Sequence, residues 1–598
     1  MFTFGRKSVS LDGTWKFCPD PMQRCRRQKW WKNPPKADSM FPCWDMEGLW
    51  DIQVPGTWNS QFDKLSLYSG HANYVRDFSV DNFNPDKNEA FLVFDGVLYS
   101  SEIYLNGHLV SKRDRGYSPF TVNVTDCLLK SNRIFVLLEN MLKADRVPGE
   151  IHDWNNDGGI YNSVKLIILP KVYIENFKVE TSLKGENAQI KVDVTANSRD
   201  SAATLDIVFE IPELGIKKKM KCASGAKVSD SFTVPIGKIK LWSPSNPKLY
   251  KVTLKTEDEA LQDEIGLREI KTSGRDILLN GESIILNGLC VHSEFPGTGR
   301  TATEEGIALM IGRFKDLGVN FVRCAHYPYA EIFGRAMDKA GLMWWEEVPV
   351  YWLLNMAEPA QTERAVGMLE DAIDRDWNRA SVVIWSVSNE CCWRNPDKPE
   401  ENNYPYWFAS VKRVRELDNS RLVSCAEACN FAATNRNWSP SQADEFMTGK
   451  DGEHFRPMHP PEWYNLFDVL AGNCYVDKPG MAKDAYPRFA RLCAQYNKPL
   501  MLSEFGCVSL SGAKVADDVM GSEALHAKIL RECMDAIEGC DEFKGYCLWS
   551  LMDVRVPLHW KWYNEGKCLF RYGLLDENYK EKKIYKVFKD EVRRFRKK

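Results

Sequence analysis

Residues 381–390 read SVVIWSVSNE, an apolar, β-branched run that ends abruptly in an amide and a carboxylate. A polar, acidic end directly after such a run costs more than a packed core requires, so it marks a place with work to do. Seven further apolar runs share the stretch after about residue 274: SIILNGL (283–289), NFVRCA (320–325), LMWWEEV (342–348), RLVSCAE (421–427), FDVLAGN (467–473), PLMLSEF (499–505) and GYCLWSL (545–551). Helical patterns separate many of them. One starts at a Thr301-x-x-Glu304 capping box and continues through Ile307, Met310, Ile311 and Phe314; another carries Val366, Leu369, Ile373 and Trp377. Eight strands in alternation with helices predict a (β/α)8 TIM barrel over 273–598.

Upstream the rhythm is purely β. AFLVFDG (90–96), SEIYLNG (101–107), RIFVLLEN (133–140) and SVKLIILP (163–170) are short runs punctuated by Asp-Gly, Asn-Gly and Lys-Ser-Asn turns. After Pro170 the alternating runs KVYIENFKV, AQIKVDVTAN, ATLDIVFEI and KLYKVTLKT recur about every ten residues, the spacing of a separate sandwich. The expected architecture is multidomain: a β domain at 1–170, a β-sandwich at 171–272 and the barrel at 273–598.

Composition narrows the function. Against 79 basic residues stand 82 acidic ones, for a net charge of −3, so nothing favours nucleic acid or an anionic membrane surface. No run approaches the ~18–20 apolar residues of a membrane helix, and MFTFGRKSVSLDG lacks a secretory h-region. The 18 Cys show no repeated spacing and read as reduced core thiols of a cytoplasmic protein. Nine scattered His and no Cys-x-x-Cys pair argue against a structural zinc, and no metal or cofactor is expected. Aromatics are in excess at 12%, which suits either a carbohydrate surface or a large core.

In a TIM barrel the site lies at the C-terminal strand ends. Those ends offer His292 and Glu294, Arg323 and His326, Glu346 and Glu347, Asn389 and Glu390, Glu427, Asn473 and Tyr475, Glu504, then Trp549 and Asp553. Glu390 and Glu504 end strands four and seven, on opposite sides of the mouth. Two opposed carboxyls can serve as general acid/base and nucleophile for glycoside hydrolysis.

At this point the chain resembles glycoside hydrolase family 2, which contains β-galactosidases and β-glucuronidases. The resemblance runs almost end to end, through LDGTWKF, VPGTWN, HDWNNDGGIYNSVKL, LNGLCVHSE, VNFVRCAHYPYAE, SVVIWSVSNE, FDVLAGNCY, PLMLSEFG and LWSLMDV. It implies an N-terminal jelly-roll sugar-binding domain, an immunoglobulin-like sandwich and a catalytic TIM barrel. It also implies roles: Glu390 as acid/base, Glu504 as nucleophile, Asn389 on the sugar 2-hydroxyl, Tyr475 and Arg323 on the nucleophile. His292 and His326 would line the subsite, Asp153 would reach the sugar hydroxyls from the jelly roll, and Trp549 would form an aromatic floor. Asn473, Asp553 and Tyr572 complete the expected substrate-binding set. The mechanism implied is double displacement with retention, the carboxyls about 5–5.5 Å apart. Kinship also implies a homo-oligomer acting on a carbohydrate or glycoconjugate.

The sugar is less legible. Family β-glucuronidases carry an Asn-x-Lys pair just before a Gly after strand eight. Anchored on Gly573, this chain has Phe570 and Tyr572 there; anchored on Lys567, Asn564 is one residue out of register. The reading therefore favours a galactoside-type neutral sugar. A β-hexuronidase (glucuronidase or galacturonidase) with a non-standard carboxylate site is the alternative, with Arg555, Lys561, Lys567 or Arg571 supplying a cation. The chain also ends at Lys598 without the C-terminal domains of large β-galactosidases, which favours that alternative. An inactive carbohydrate-binding protein would be expected to lack one carboxylate, and both are present.

Overall fold

A computed structural model describes residues 3–33, 48–200, 202–352, 354–391, 399–428, 459–476, 478–512, 515–557 and 569–595, with side chains undescribed at 399–402 and 492–494. The eight apolar runs form a closed parallel barrel: β1 (Leu286–Val291), β2 (Phe321–Cys324), β3 (Met343–Glu347), β4 (Val382–Asn389), β5 (Leu422–Ala428), β6 (Leu470–Asn473), β7 (Leu500–Phe505) and β8 (Phe543–Leu548). β8 closes on β1 in register Leu286↔Gly545 to Leu289↔Leu548. Barrel strands are covered on both sides, which is why they read as nearly continuous apolar runs rather than alternating ones. Leu286, Cys290, Phe321, Met343, Trp345, Ile384, Met501 and Cys547 fill the interior. Val291, Val322, Trp344, Val382 and Leu502 belong to the larger core shared with the helices.

The helices between the strands are amphipathic for the same reason. α1 (Glu304–Leu317) buries Ile307, Met310, Phe314 and Leu317, each worth about 1.5–3 kcal/mol of transfer free energy. Its cap is Thr303, whose hydroxyl accepts from Gly306 N at 3.0 Å; the capping box expected at Thr301 sits two residues too early. The helix carrying Val366, Leu369 and Ile373 spans Pro359–Asp376 and ends just before Trp377.

The N-terminal strands form a four-stranded and a six-stranded sheet that enclose Trp15, Phe17, Tyr74, Leu92, Phe94, Ile103 and Val136. Residues 172–265 form a three-stranded and a four-stranded sheet around Ile190, Val192, Ile207, Phe209, Val252 and Leu254, a two-layer sandwich. All thirteen described cysteines are free thiols, eleven of them buried. No described helix is long and apolar enough to cross a membrane. Lys561, Asn564 and Lys567 lie outside the described residues.

One segment of the N-terminal domain leaves its sheets and seats on the barrel. Arg300 donates to Asn155 O at 3.0 Å, and Asp157 pairs with Arg300 at 3.5 Å and Arg555 at 3.2 Å. Trp154 is fully buried among Tyr327, Tyr351, His292 and His326, with centroids 5.1–6.0 Å away. These anchors carry Asp153 to the barrel mouth.

Candidate active site

β4 delivers Glu390 with the backbone in the left-handed region, φ 52°, a conformation that non-glycine residues hold only where surroundings enforce it. Here Glu390 N donates to Ala426 O at 2.7 Å, and Asn389 N donates to Val350 O at 2.8 Å. The side chain is gripped at both oxygens: Asn473 Nδ2 donates to Oε1 at 2.7 Å, and Trp352 Nε1 donates to Oε2 at 2.8 Å. Burial first, and the charge on Glu504 second, push the Glu390 carboxyl up to about 8, while the two hydrogen bonds pull it down.

β7 delivers Glu504 opposite a cation. Arg323 Nη1 lies 2.5 Å from its Oε1, and Tyr475 Oη donates to its Oε2 at 2.6 Å. Arg323 is fully buried and shared: Nη2 donates to Glu347 at 2.9 Å and to Asn389 Oδ1 at 2.7 Å. Although burial opposes it, Arg323 and His326 hold Glu347 down to about 2. Trp345 and Ser386 also donate to Glu347, at 2.9 and 2.6 Å. Asn389 Oδ1 accepts again from Asn473 at 3.1 Å, and Ser503 donates to Asn473 Oδ1 at 2.7 Å. With its oxygen occupied twice, the Asn389 amide presents NH₂ as its remaining polar group.

Beside the carboxylates stands a second constellation. One ligand-type atom from each of Asp153, His292 and His326 lies within 4.8 Å of the other two, and all three residues are buried. Trp549 stacks on His326 at 5.4 Å and meets His292 edge-on at 5.3 Å. Burial pushes Asp153 up to about 6, partly offset by His326, and holds His292 well below the usual imidazole value. Tyr572 meets Tyr475 edge-on at 5.7 Å and lies 4.6 Å from Phe570.

The structure therefore brings Glu390, Glu504, Asn389, Asn473, Tyr475, Arg323, His292, His326, Trp549 and Asp153 together, with Tyr572 at the edge. Asp553 is placed differently from the substrate-binding position expected for it. Its Oδ1 takes Lys582 Nζ at 2.5 Å and Gly573 N at 2.9 Å, and its side chain is fully buried. It ties down the turn at Gly573, where an added Cβ would meet Asp553 N and Met552 C at 2.2 Å. Two rim glutamates also turn away: Glu346 faces Arg375 at 3.1 Å, and Glu294 faces Arg555 at 3.4 Å. Trp352 and Ser503 were not among the candidates. Trp352 follows β3 in a βα connection, the one signal that could have flagged it.

The comparisons agree with this layout. The description "Glycosyl hydrolases family 2, sugar binding domain" matches residues 8–170, "Glycosyl hydrolases family 2" matches 172–268, and "Glycosyl hydrolases family 2, TIM barrel domain" matches 270–518. A relative from Formosa agariphila, its name giving β-glucuronidase, is 29% identical over 90% of this chain, which spans 66% of that relative's length. A Paenibacillus borealis β-glucuronidase is 22% identical over 92% of this chain and 91% of its own. A Lactobacillus delbrueckii subsp. bulgaricus β-galactosidase is 29% identical, over 53% of this chain and 34% of its own. A GH2 β-galacturonidase from Eisenbergiella tayi, solved with galacturonate, superposes with TM-score 0.80 at 23% identity, covering 98% of this chain and 97% of that one. With all three domains matched, the chain belongs to glycoside hydrolase family 2 and is a glycoside hydrolase.

Proposed function

We propose that the chain is a retaining exo-β-glycosidase acting on a terminal β-D-hexuronide, with Glu504 as nucleophile and Glu390 as acid/base. The observation that carries the mechanism is the unequal surroundings of the two carboxyls. Glu390, up at about 8, keeps its proton at neutral pH, whereas Glu504 faces the Arg323 guanidinium and the Tyr475 hydroxyl. Glu504 attacks the anomeric carbon as the glycosidic C–O bond breaks, and Glu390 gives its proton to the departing oxygen. With Glu504 esterified, the charge that raised Glu390 is gone and its carboxyl falls in pKa. Glu390 then takes a proton from water, whose oxygen attacks the same carbon and releases Glu504. Asn389 NH₂ is set for the sugar 2-hydroxyl, and Asp153, His292 and His326 for the others.

The uronide reading rests on the relatives. The Formosa agariphila and Paenibacillus borealis relatives named for β-glucuronidase align over about nine-tenths of this chain, and a solved β-galacturonidase over 98% of it, whereas the Lactobacillus delbrueckii β-galactosidase aligns over 53%. Arg571, 12% exposed and next to Tyr572, is the candidate cation for the uronate; it faces Asp553 at 3.5 Å and Glu577 at 3.9 Å. A second reading, a galactoside-type neutral sugar, is favoured by one observation: Phe570 and Tyr572 present aromatic faces where a cation–amide pair would sit. Initial rates on matched p-nitrophenyl β-D-glucuronide, galacturonide, galactoside and glucoside decide between them. A uronide leading tenfold or more, about 1.4 kcal/mol, supports the first reading; a galactoside leading by that margin replaces it with the second.

A further inference from the structure

Glu347 ends β3 with its side chain wholly withdrawn from solvent. A carboxylate is costly to bury unless its oxygens are used, and both are used here. Oε1 accepts from Arg323 Nη2 at 2.9 Å and from His326 Nδ1 at 2.7 Å. Oε2 accepts from Trp345 Nε1 at 2.9 Å, Ser386 Oγ at 2.6 Å and Arg323 Nε at 3.3 Å. Trp345 and Ser386, on β3 and β4, pin the carboxylate; Arg323 and His326 are the groups it pins in turn.

Each pinned group meets the site by its other side. A guanidinium carries five N–H in one plane, and all five of Arg323 find acceptors. Nε and one hydrogen of Nη2 go to Glu347, and the other of Nη2 to Asn389 Oδ1 at 2.7 Å. Nη1 serves Glu504 at 2.5 Å and Ser503 O at 3.2 Å. The two-point grip of Glu347 on one edge therefore sets the plane in which Nη1 reaches Glu504. On His326, a charged oxygen at Nδ1 places the ring hydrogen there and leaves Nε2 for the sugar. Arg323 Nη2 lies only 3.3 Å from that Nδ1, two donors that the shared Oε1 holds together.

We propose that Glu347 is a positioning residue with two separate outputs: through Arg323 it aims Glu504 at the anomeric carbon, and through His326 it sets the ring nitrogen that holds the sugar. The role rests on the glycosidase reading with Glu504 as nucleophile. Aim acts in the transition state and lowers kcat; the imidazole acts in the bound substrate as well and lowers KM.

The test is steady-state kinetics of the full chain on the p-nitrophenyl glycoside that the wild type turns over fastest, with folding checked by circular dichroism. Glu347→Gln should lower kcat about 100-fold, the cost of a misplaced reacting group. It should also raise KM about 10-fold, for one charge-assisted hydrogen bond. Glu347→Asp, which keeps the charge, should recover part of the kcat. In a His326→Gln background the rise in KM should vanish while the loss in kcat persists. Ser386→Ala keeps the carboxylate and loosens it, and should lower kcat about 3–10-fold, which tests the role even where Glu347→Gln does not fold. Kinetic constants within about threefold of wild type in folded Glu347→Gln, or an undiminished rise in KM in the His326→Gln background, overturn the role alone. A wild type that turns over none of the glycosides overturns the hydrolytic reading and the role with it.

Discussion

Arg323 Nη1 lies 2.5 Å from Glu504 Oε1 while Nη2 of the same guanidinium lies 2.7 Å from Asn389 Oδ1. One buried cation thus holds both Glu504, the proposed nucleophile, and the Asn389 amide. The Glu504 charge, second to burial, helps raise the Glu390 carboxyl.

The pH profile follows from the groups involved. Glu390 must carry its proton to act as an acid, and it stands at about 8 because of burial and the Glu504 charge, so kcat/KM should fall as pH rises past about 8. Asp153, raised to about 6 by burial, is a stronger acceptor for a sugar hydroxyl when ionised, so activity should also fall below about 6. A bell with these limbs in kcat/KM against pH is expected; an alkaline limb near 4–5 would contradict the Glu390 assignment.

Trp352 donates to the charged form of Glu390 at 2.8 Å. Trp352→Phe removes that donor without removing the ring. A hydrogen bond to a charged group is worth about 1.5–3 kcal/mol, so the alkaline limb should move up by about one to two units. The measurement is the same profile on the variant; an unmoved limb makes Trp352 a packing residue only.

Arg571 separates the two sugars. Arg571→Gln should lower kcat/KM for the glucuronide about 10–100-fold, the value of an ion pair to a carboxylate, and leave the galactoside within about threefold. Equal losses on both would make the residue a strut for Asp553, which it faces at 3.5 Å.

Asp157 pairs with Arg300 and Arg555 across the seam between the N-terminal domain and the barrel. Asp157→Asn leaves the buried Arg300 short of a counter-charge, while the part-exposed Arg555 keeps Glu294, and should cost about 3 kcal/mol of stability. Because Trp154 and Asp153 hang from this anchor, KM should rise more than kcat falls. Thermal denaturation with steady-state kinetics checks both, and a wild-type melting curve would count against the clamp.

How much of this was legible follows from how each feature is encoded. All eight barrel strands are local patterns, and each apolar run between 283 and 551 became a barrel strand. Glu390 and Glu504 stand out in the sequence as candidates because each lies at the end of such a run. Asp553 also follows strand eight, yet it turns to Lys582, 29 residues further on, and no local pattern announces that partner. Glu346 and Glu347 are neighbours on a strand, so their side chains take opposite faces; one meets Arg375 outside the barrel and the other Arg323 within. The Asp153–His292–His326 cluster joins two barrel loops and another domain, a convergence that no ligand spacing in the sequence reveals. The Thr303 cap shows the ordinary margin of helix boundaries.

The central claim is that Glu504 becomes covalently attached to the sugar. The direct measurement is incubation with 2-deoxy-2-fluoro-β-D-glucuronosyl and galactosyl fluorides, followed by intact mass and peptide mapping. One fluorosugar per chain, on Glu504 within MLSEFG, is the expected result, and the reagent that labels names the sugar. A label on Glu390, or rapid turnover releasing the anomer of inverted configuration with no adduct, would contradict the account.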